Sequence, residues 1–213
     1  LTMPRPIQAF VHTDALRHNL TRMRAAAPDA RVWAVVKANA YGHGVAAIAP
    51  CLQHQVDAFG VAFLDEALAL RAHGIDGPIA VLEGVFSASE LAAARRADLQ
   101  LAVHSPEQAA LLQAAPTGPA ISIWLKLNTG MNRLGFRPAE ALAIWRQLKG
   151  LSAVSRINLM THFSRADELS SNQTELQWGR FTAVRDALSL QQGAPLITSV
   201  ANSAAILAWP QTQ

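Results

Sequence analysis

The first candidate for chemistry is Lys37, which follows the apolar segment Val32–Val36 and begins a loop of small residues. The loop reads Ala38-Asn39-Ala40-Tyr41-Gly42-His43-Gly44. An ammonium group buried without a partner is costly, so a lysine at a strand end commonly extends to solvent. If the lysine is buried instead, burial favours the neutral amine, which can attack a carbonyl group. Position alone favours the solvent-exposed lysine, and the surrounding sequence has to decide.

Other polar side chains lie in or after later apolar segments. An arginine fork suits a carboxylate, although an arginine after a turn is often only a surface residue. A lone histidine at a strand end is more often structural than a ligand. An asparagine and a serine before a helix can hold a phosphate, or can serve as an ordinary N-cap with the same atoms. The candidates are Lys126, Arg133, His162, Asn202 and Ser203.

Seven short apolar runs recur along the chain and predict the elements that position these residues. Continuous apolar runs are typical of strands buried on both faces of a parallel sheet, and helical segments lie between them. We therefore predict an α/β fold with a parallel sheet. It could belong to the TIM-type (β/α)8 class, of which seven of the eight strands are present, or be an open doubly wound sheet, which alternates strands and helices similarly. No strand leads into a G-x-G-x-x-G fingerprint. The runs are Val32–Val36, Ala58–Phe63, Ile79–Leu82, Leu99–Val103, Ile121–Leu127, Ile157–Met160 and Leu196–Val200.

Signals for helix starts and ends support this alternation. Ser87 and Glu90 form a capping-box pattern, in which each side chain satisfies the other's free amide. Ser105 precedes a proline that is suited to the first helical position. Gly74 and Gly150 follow helical segments and predict their ends.

Five sequence segments resemble the alanine racemases, a family that depends on pyridoxal phosphate. AVVKANAYGHG surrounds Lys37, and residues 57–86 resemble the family's second and third barrel units. LKLNTGMNRLGF, residues 125–136, is similar to the family's LKxDTGMxRLGF, and MTHF (160–163) and ANS (201–203) fall where the family has such segments. The resemblance covers essentially the whole chain in order, and it implies the family's cofactor-binding barrel.

The resemblance implies a role for each candidate residue. Lys37 would hold pyridoxal phosphate as a Schiff base, and it would be the catalytic base on one face of the substrate. Tyr41, Asn202 and Ser203 would bind the cofactor phosphate, and His162 would lie beside the pyridine ring.

Two further residues would act on the substrate side. Arg133 would lie near the substrate carboxylate, and the repulsion between Arg133 and Lys126 would be relieved by a carbamate on Lys126 or, as in other family members, by a nearby anion. The family's usual aspartate is replaced by Asn128, which makes the local charge balance less certain.

The resemblance also predicts parts that would follow Gln213. These are an eighth strand with an arginine at the pyridine nitrogen, and a C-terminal β domain that completes a homodimer. We therefore interpret residues 1–213 as one incomplete barrel domain. The second catalytic base would be a tyrosine of the partner subunit, and Tyr41 is the only tyrosine here. We expect alanine as the substrate, with D-alanine made for peptidoglycan or catabolised, and little racemisation by this chain alone.

Composition limits the other classes of function. The net charge is +3 and the basic residues are scattered, which argues against a nucleic-acid binder. No apolar stretch is long enough to predict a membrane span, and the single cysteine, Cys51, excludes an internal disulfide, so we expect a cytoplasmic protein. The histidines outside the motifs show no metal-ligand spacing, and we expect no metal.

Two alternatives share the barrel and its lysine. A decarboxylase or an aldolase would use a similar amine, but the segments around Lys37 and Arg133 argue against both. A single-domain pyridoxal-phosphate-binding barrel protein, acting in cofactor homeostasis, fits the chain length better and the motifs less well.

Overall fold

Seven parallel strands form one curled sheet in sequence order, β1 to β7. The structure is a computed structural model that describes residues 9–213. Each strand pairs with the next in parallel, as expected of a TIM-type barrel, and the predicted fold class is confirmed. The strands are β1 Trp33–Val35, β2 Ala58–Val61, β3 Ile79–Val81, β4 Gln100–Val103, β5 Ile121–Lys126, β6 Val154–Met160 and β7 Thr198–Ser199.

Helices connect the strands and cover the outer face of the sheet. Within the described residues, none of them combines the length and the apolar character needed to cross a bilayer. The helices are α1 Thr13–Ala26, α2 Lys37–Tyr41, α3 Val45–Leu52, α4 Leu64–Ala72, α5 Ala88–Arg96, α6 Pro106–Gln113, α7 Ala141–Leu148, α8 Gln173–Gln192 and α9 Ser203–Ala208, with 3-10 turns at Pro138–Glu140 and Pro210–Thr212.

The two faces of the sheet belong to different clusters of apolar side chains. Alternate strand residues, such as Phe59, Ile123 and Leu159, are fully buried in the large cluster that also contains the helices. The residues between them face the barrel interior, because successive side chains of a strand point to opposite sides. There Trp124 and Trp33 pack edge to face with ring centroids 4.6 Å apart. The interior is therefore partly filled, and the rest of it is open for a site.

The helix starts follow the predicted signals with one correction. Ser87 Oγ accepts a hydrogen bond from the Glu90 amide at 3.1 Å, as predicted. Glu90, however, accepts from the amide of Phe86 at 2.6 Å and not from that of Ser87, so the predicted reciprocal capping box is only half present. The glutamate reaches one residue further back and fastens the preceding loop to the first turn of α5.

The same arrangement begins α6. Pro106 is its first residue, as predicted, and the Ser105 hydroxyl accepts from the Gln108 amide. Gln108 Oε1 accepts from the amide of His104 at 2.9 Å, one residue before the cap. In both helices the third helical residue therefore ties down the loop that precedes it.

Candidate active site in the barrel cavity

The segment after β1 is a left-handed turn, a conformation that L-amino acids disfavour. Ala38, Asn39, Ala40 and Tyr41 all lie in the left-handed region, with φ between 51° and 55°. For residues other than glycine this conformation costs roughly 1–2 kcal/mol each. Gly42 and Gly44 continue the turn at φ 87° and 91°. Four consecutive strained residues beside Lys37 mark this turn as a functional segment.

Hydrogen bonds at both ends hold the left-handed turn. The Ala38 amide donates to Glu66 Oε1 at 2.6 Å, which links the turn to the start of α4. Asn39 Oδ1 accepts from the Val45 amide at 2.8 Å and so caps the next helix, α3. Within the turn, the Gly42 amide donates to the Ala38 carbonyl at 2.9 Å. The turn is thus fixed by contacts that come from two other elements of the barrel.

A cavity of about 580 Å³ opens inside the barrel, and all seven residues proposed from the sequence line it. They come from the carboxyl ends of four strands or from the loops that follow, which is where TIM-type barrels place their sites. Glu83, after β3, is a further ionisable residue of the lining that the sequence did not point to. The seven are Lys37, Tyr41, Lys126, Arg133, His162, Asn202 and Ser203.

Basic side chains outnumber acidic ones in the lining of this cavity, and three of them, Lys37, Lys126 and Arg133, lie at or after the carboxyl ends of strands. Lys126 is only 7% exposed, at the end of β5. Its pKa is lowered, first by burial and then by the charges of Arg133 and Lys37, while Glu83 acts in the opposite direction. None of the four ion pairs among the described residues involves Lys37, Lys126 or Arg133. The cavity therefore carries an excess of positive charge that suits an anion.

His162 is held as a neutral imidazole by its surroundings. Burial, followed by the charges of Arg133, Lys126 and Lys37, lowers its pKa from 6.5 to about 4. The neutral ring keeps one nitrogen as a donor and the other as an acceptor at ordinary pH.

Asn128 folds the loop that carries Arg133. Its Oδ1 accepts from the amides of Gly130 and Asn132 at 3.2 and 3.0 Å. An aspartate could accept these two bonds, but it could not donate the further bond from Asn128 Nδ2 to Asn132 Oδ1 at 3.2 Å. The asparagine therefore keeps this turn and brings no negative charge to the loop. Asn128 in place of the family's usual aspartate thus changes the charge of the loop, while the hydrogen bonds of the turn do not require a carboxylate.

A buried amide on α8 supports two parts of the site, and sequence reasoning missed it. Gln177 is fully buried, and its Nε2 donates to the carbonyl of His162 at 2.9 Å and to Thr129 Oγ1 at 3.2 Å. Its Oε1 accepts from the amide and the hydroxyl of Ser164. Arg180, one turn further on, donates to the Thr129 carbonyl at 2.7 Å. No local pattern could have revealed these contacts, because the partners lie 13 to 51 positions apart.

Asn202 and Ser203 stand at the start of α9, where the structure separates their possible roles. Asn202 Oδ1 accepts from the Ala205 amide at 3.0 Å, and Nδ2 donates to the Phe163 carbonyl at 3.3 Å. The asparagine side chain is therefore an N-cap that is occupied within the protein, and its role towards a phosphate stays a prediction. Ser203 is exposed on the cavity lining and offers a hydroxyl.

His43, a histidine of the segment around Lys37, does not line the cavity. Within residues 9–213 no three His, Cys, Asp or Glu side chains are grouped as a metal ion would require. His43 Nδ1 donates to the Ala40 carbonyl at 2.9 Å and thereby supports the left-handed turn. An amine, two further cations and hydroxyl groups around one cavity can hold an anionic cofactor that has a reactive carbonyl.

Comparison with known proteins shows which family this chain resembles. Residues 11–213 match the family described as alanine racemase, N-terminal domain. The alanine racemase of Pectobacterium carotovorum subsp. carotovorum (strain PC1) is 48% identical over 205 residues, which are 96% of this chain and 55% of the relative. That of Albidiferax ferrireducens is 53% identical over 165 residues, 78% of this chain and 44% of the relative. The chain thus spans about half the length of the curated relatives it matches.

Solved structures show the same likeness. The biosynthetic alanine racemase of Pseudomonas aeruginosa superposes with a TM-score of 0.84 at 38% identity, over 93% of this chain and 54% of that one. The alanine racemase of Acinetobacter baumannii gives a TM-score of 0.84 at 35% identity, over 94% and 58% of the two chains.

Proposed function

Because the chain belongs to the family of alanine racemase N-terminal domains, we propose that the protein interconverts L-alanine and D-alanine with pyridoxal phosphate held in the barrel cavity. The observation that carries this proposal is the convergence of all seven predicted site residues on that one cavity. The alanine racemases among its relatives and structural neighbours support the choice of alanine as the substrate.

The side chains of the cavity fit this cofactor. Its aldehyde requires an amine, which Lys37 supplies at the end of β1. Its phosphate requires hydroxyl donors, which Tyr41 and Ser203 offer on the same lining. A buried Lys126 without an ion-pair partner among the described residues is a cation that a bound anion would stabilise.

Each residue then has a task in the reaction. Pyridoxal phosphate, when bound, supplies the electron sink that takes up the charge left when the α-proton departs. Lys37 Nζ removes the proton from Cα, or returns it, on one face. Arg133 pairs with the alanine carboxylate and so fixes the orientation of Cα, because a planar fork favours a bidentate carboxylate. The neutral His162 supports the cofactor ring without adding a further positive charge to the cavity.

Inversion at Cα also requires a proton donor on the opposite face. General acid–base catalysis contributes about 10²- to 10⁴-fold, so a missing donor would cost a large part of the rate. The only tyrosine of the chain, Tyr41, is assigned to the phosphate. We infer that a residue of a second subunit serves this face in a cytoplasmic homodimer, which agrees with the family resemblance.

The test is to supply the protein with pyridoxal phosphate, reduce it with borohydride and map the modified lysine. We expect the cofactor on Lys37, and we expect Lys37→Arg to abolish both the adduct and the racemisation of alanine. Lys149→Arg is the matched control, since Lys149 lies over the Trp145 ring outside the site. An adduct on Lys126 or Lys149, or full racemisation by Lys37→Arg, would contradict the proposal.

A further inference from the structure

We propose that Glu66 is a positioning residue whose carboxylate holds in place the left-handed turn of residues 38–41, beside Lys37. Glu66 Oε1 accepts from the Ala38 amide at 2.6 Å, immediately after Lys37. Oε2 accepts from the amides of Ala62 and Phe63 at 2.7 and 3.2 Å. One side chain on α4 therefore joins the end of β1 to the end of β2.

The other barrel helices show what is particular to Glu66. Glu90 in α5 and Gln108 in α6 occupy the same third helical position, and each accepts from the amide that precedes its own cap. Glu66 makes this contact too, through Oε2 and the Ala62 amide. Its other oxygen accepts from Ala38 in the loop after β1, which Glu90 does not contact. Gln108 also reaches back one strand, but through Nε2, which donates to the Glu83 carbonyl in the loop after β3 at 2.8 Å. The common contact secures a helix start, and the additional one secures the turn beside Lys37.

The physical need for this additional contact follows from the backbone. Residues 38–41 each occupy a conformation that non-glycine residues avoid, and such strain persists only where surrounding contacts impose it. A hydrogen bond to a carboxylate is about twice as strong as one between neutral groups. Without the bond to Glu66, the Ala38 amide would have no partner, which would favour rearrangement of the turn. Lys37 and Tyr41 would then no longer both point into the cavity. Glu66 is not itself among the residues that line the cavity.

A glutamine at this position distinguishes the two contacts. Its single carbonyl oxygen can serve Ala38 or the Ala62 and Phe63 amides, and its NH₂ group would then face an amide donor on the other side. Glu90→Gln is the matched control, because Glu90 has the same position in the next helix and makes no contact with the turn.

The first measurement is amide hydrogen exchange in the full-length protein without cofactor. We expect the amides of Ala38, Ala40, Gly42 and Gly44 to exchange about tenfold to a hundredfold faster in E66Q than in the wild type, since a hydrogen bond to a charged acceptor is lost. We expect no change there in E90Q. Equal exchange of these amides in E66Q and the wild type would overturn the proposal.

The second measurement is rescue by Ala38→Gly. Glycine adopts a positive φ without the steric cost that alanine bears, so E66Q/A38G should recover much of the protection that E66Q loses. If E66Q alone does not fold, the double variant decides: recovery of folding supports the proposal, and failure to recover overturns it. A role of Glu66 in the start of α4 alone would not respond to a change at residue 38.

The consequence for the cofactor rests on the proposed function. With pyridoxal phosphate, E66Q should require about tenfold more cofactor for half-maximal borohydride trapping on Lys37, while E90Q should match the wild type. Unchanged trapping in E66Q would contradict the positioning role. If the wild type itself traps no cofactor on Lys37, the proposed function fails, and the exchange and rescue measurements still judge the role of Glu66.

Discussion

At the scale of single residues, the charges of the cavity set one another's protonation. Lys126 and His162 are both buried, and both have a lowered pKa because the cations around them add to the effect of burial. The carboxylate of Glu83 opposes this effect and raises the pKa of Lys126. The cavity therefore holds a neutral imidazole at His162, and it makes the ammonium form of Lys126 less favourable beside Arg133. A bound anion would offset this excess of positive charge.

We predict that His162 titrates near pH 4, as histidine NMR signals would show. Arg133→Gln removes the largest charge that acts on His162, so the pKa should rise towards 6.5. Arg137→Gln, in the same loop, is the control and should leave the titration unchanged. A wild-type pKa close to 6.5 would contradict the prediction that burial and the neighbouring cations keep His162 neutral.

The same pKa predicts how acid affects stability. Above pH 6.5 the folded and unfolded states both carry a neutral His162, and its contribution is fully present. Between pH 6.5 and about 4 the unfolded chain binds a proton that the folded protein does not, so the free energy of unfolding falls as the pH falls. Replacing His162 by Gln should remove this part of the pH dependence in urea titrations across that window.

Lys126 is predicted to form a carbamate in the presence of bicarbonate. Its lowered pKa leaves more neutral amine, whose nitrogen bonds to the carbon of CO₂ with release of one proton. Counted from the ammonium, which first loses a proton to give that amine, the charge at Lys126 changes from +1 to −1 with two protons released in total, and this relieves the repulsion from Arg133. A carbamate signal in ¹³C NMR should appear in the wild type and in Lys149→Arg, and should vanish in Lys126→Arg. Its persistence in Lys126→Arg would assign the carbamate elsewhere.

At the scale of elements, the seven strands could be predicted because a strand buried on both faces is apolar throughout. Their bounds were less predictable: β6 begins at Val154, three residues before the apolar run, and β7 contains only Thr198 and Ser199. Hydrogen bonds to the neighbouring strand set these bounds, and apolar character alone does not report them.

The left-handed turn could not be predicted from its residues. Alanine and tyrosine disfavour positive φ, so the local preference of residues 38–41 contradicts their conformation. Gly42 and Gly44 indicated only that a turn was near. The contacts that impose the conformation come from Glu66 and other elements distant in sequence, and they become visible only in three dimensions.

We predict that Gln177→Leu destabilises the protein by about 2–3 kcal/mol, because it leaves buried polar groups around Thr129, His162 and Ser164 without partners. Gln192→Leu, at the exposed end of the same helix, is the control and should stay within about 0.5 kcal/mol. Urea unfolding measures both. A cost for Gln177→Leu no larger than that of the control would mean that Gln177 does not support the site.

At the scale of the whole molecule, β1 and β7 are the outer strands of the sheet. Within residues 9–213 each of them pairs on one side only, which leaves backbone amides and carbonyls available to another strand. The sheet is curled, so these two edges border the cavity that holds the candidate site.

A polypeptide of these 213 residues is therefore predicted to associate through its sheet edges. Size-exclusion chromatography with light scattering should show oligomers whose share grows with concentration. Thr198→Lys places a charge on the exposed β7 edge and should reduce association. A wild-type polypeptide that stays monomeric at every concentration would contradict this interpretation of the edges.

The concentration of positive charge in one cavity has a kinetic consequence. The chain as a whole carries only +3, yet five Lys and Arg side chains and only three Asp and Glu side chains line this one cavity. Walls of low dielectric focus such a field outward, so a diffusing phosphate ester should be captured faster than random collision allows. At 0.1 M salt the field is screened over about 10 Å, and the association rate constant should fall as ionic strength rises. Arg133→Gln should flatten that dependence in stopped-flow measurements, so that the opening of the barrel attracts its ligand before any hydrogen bond forms.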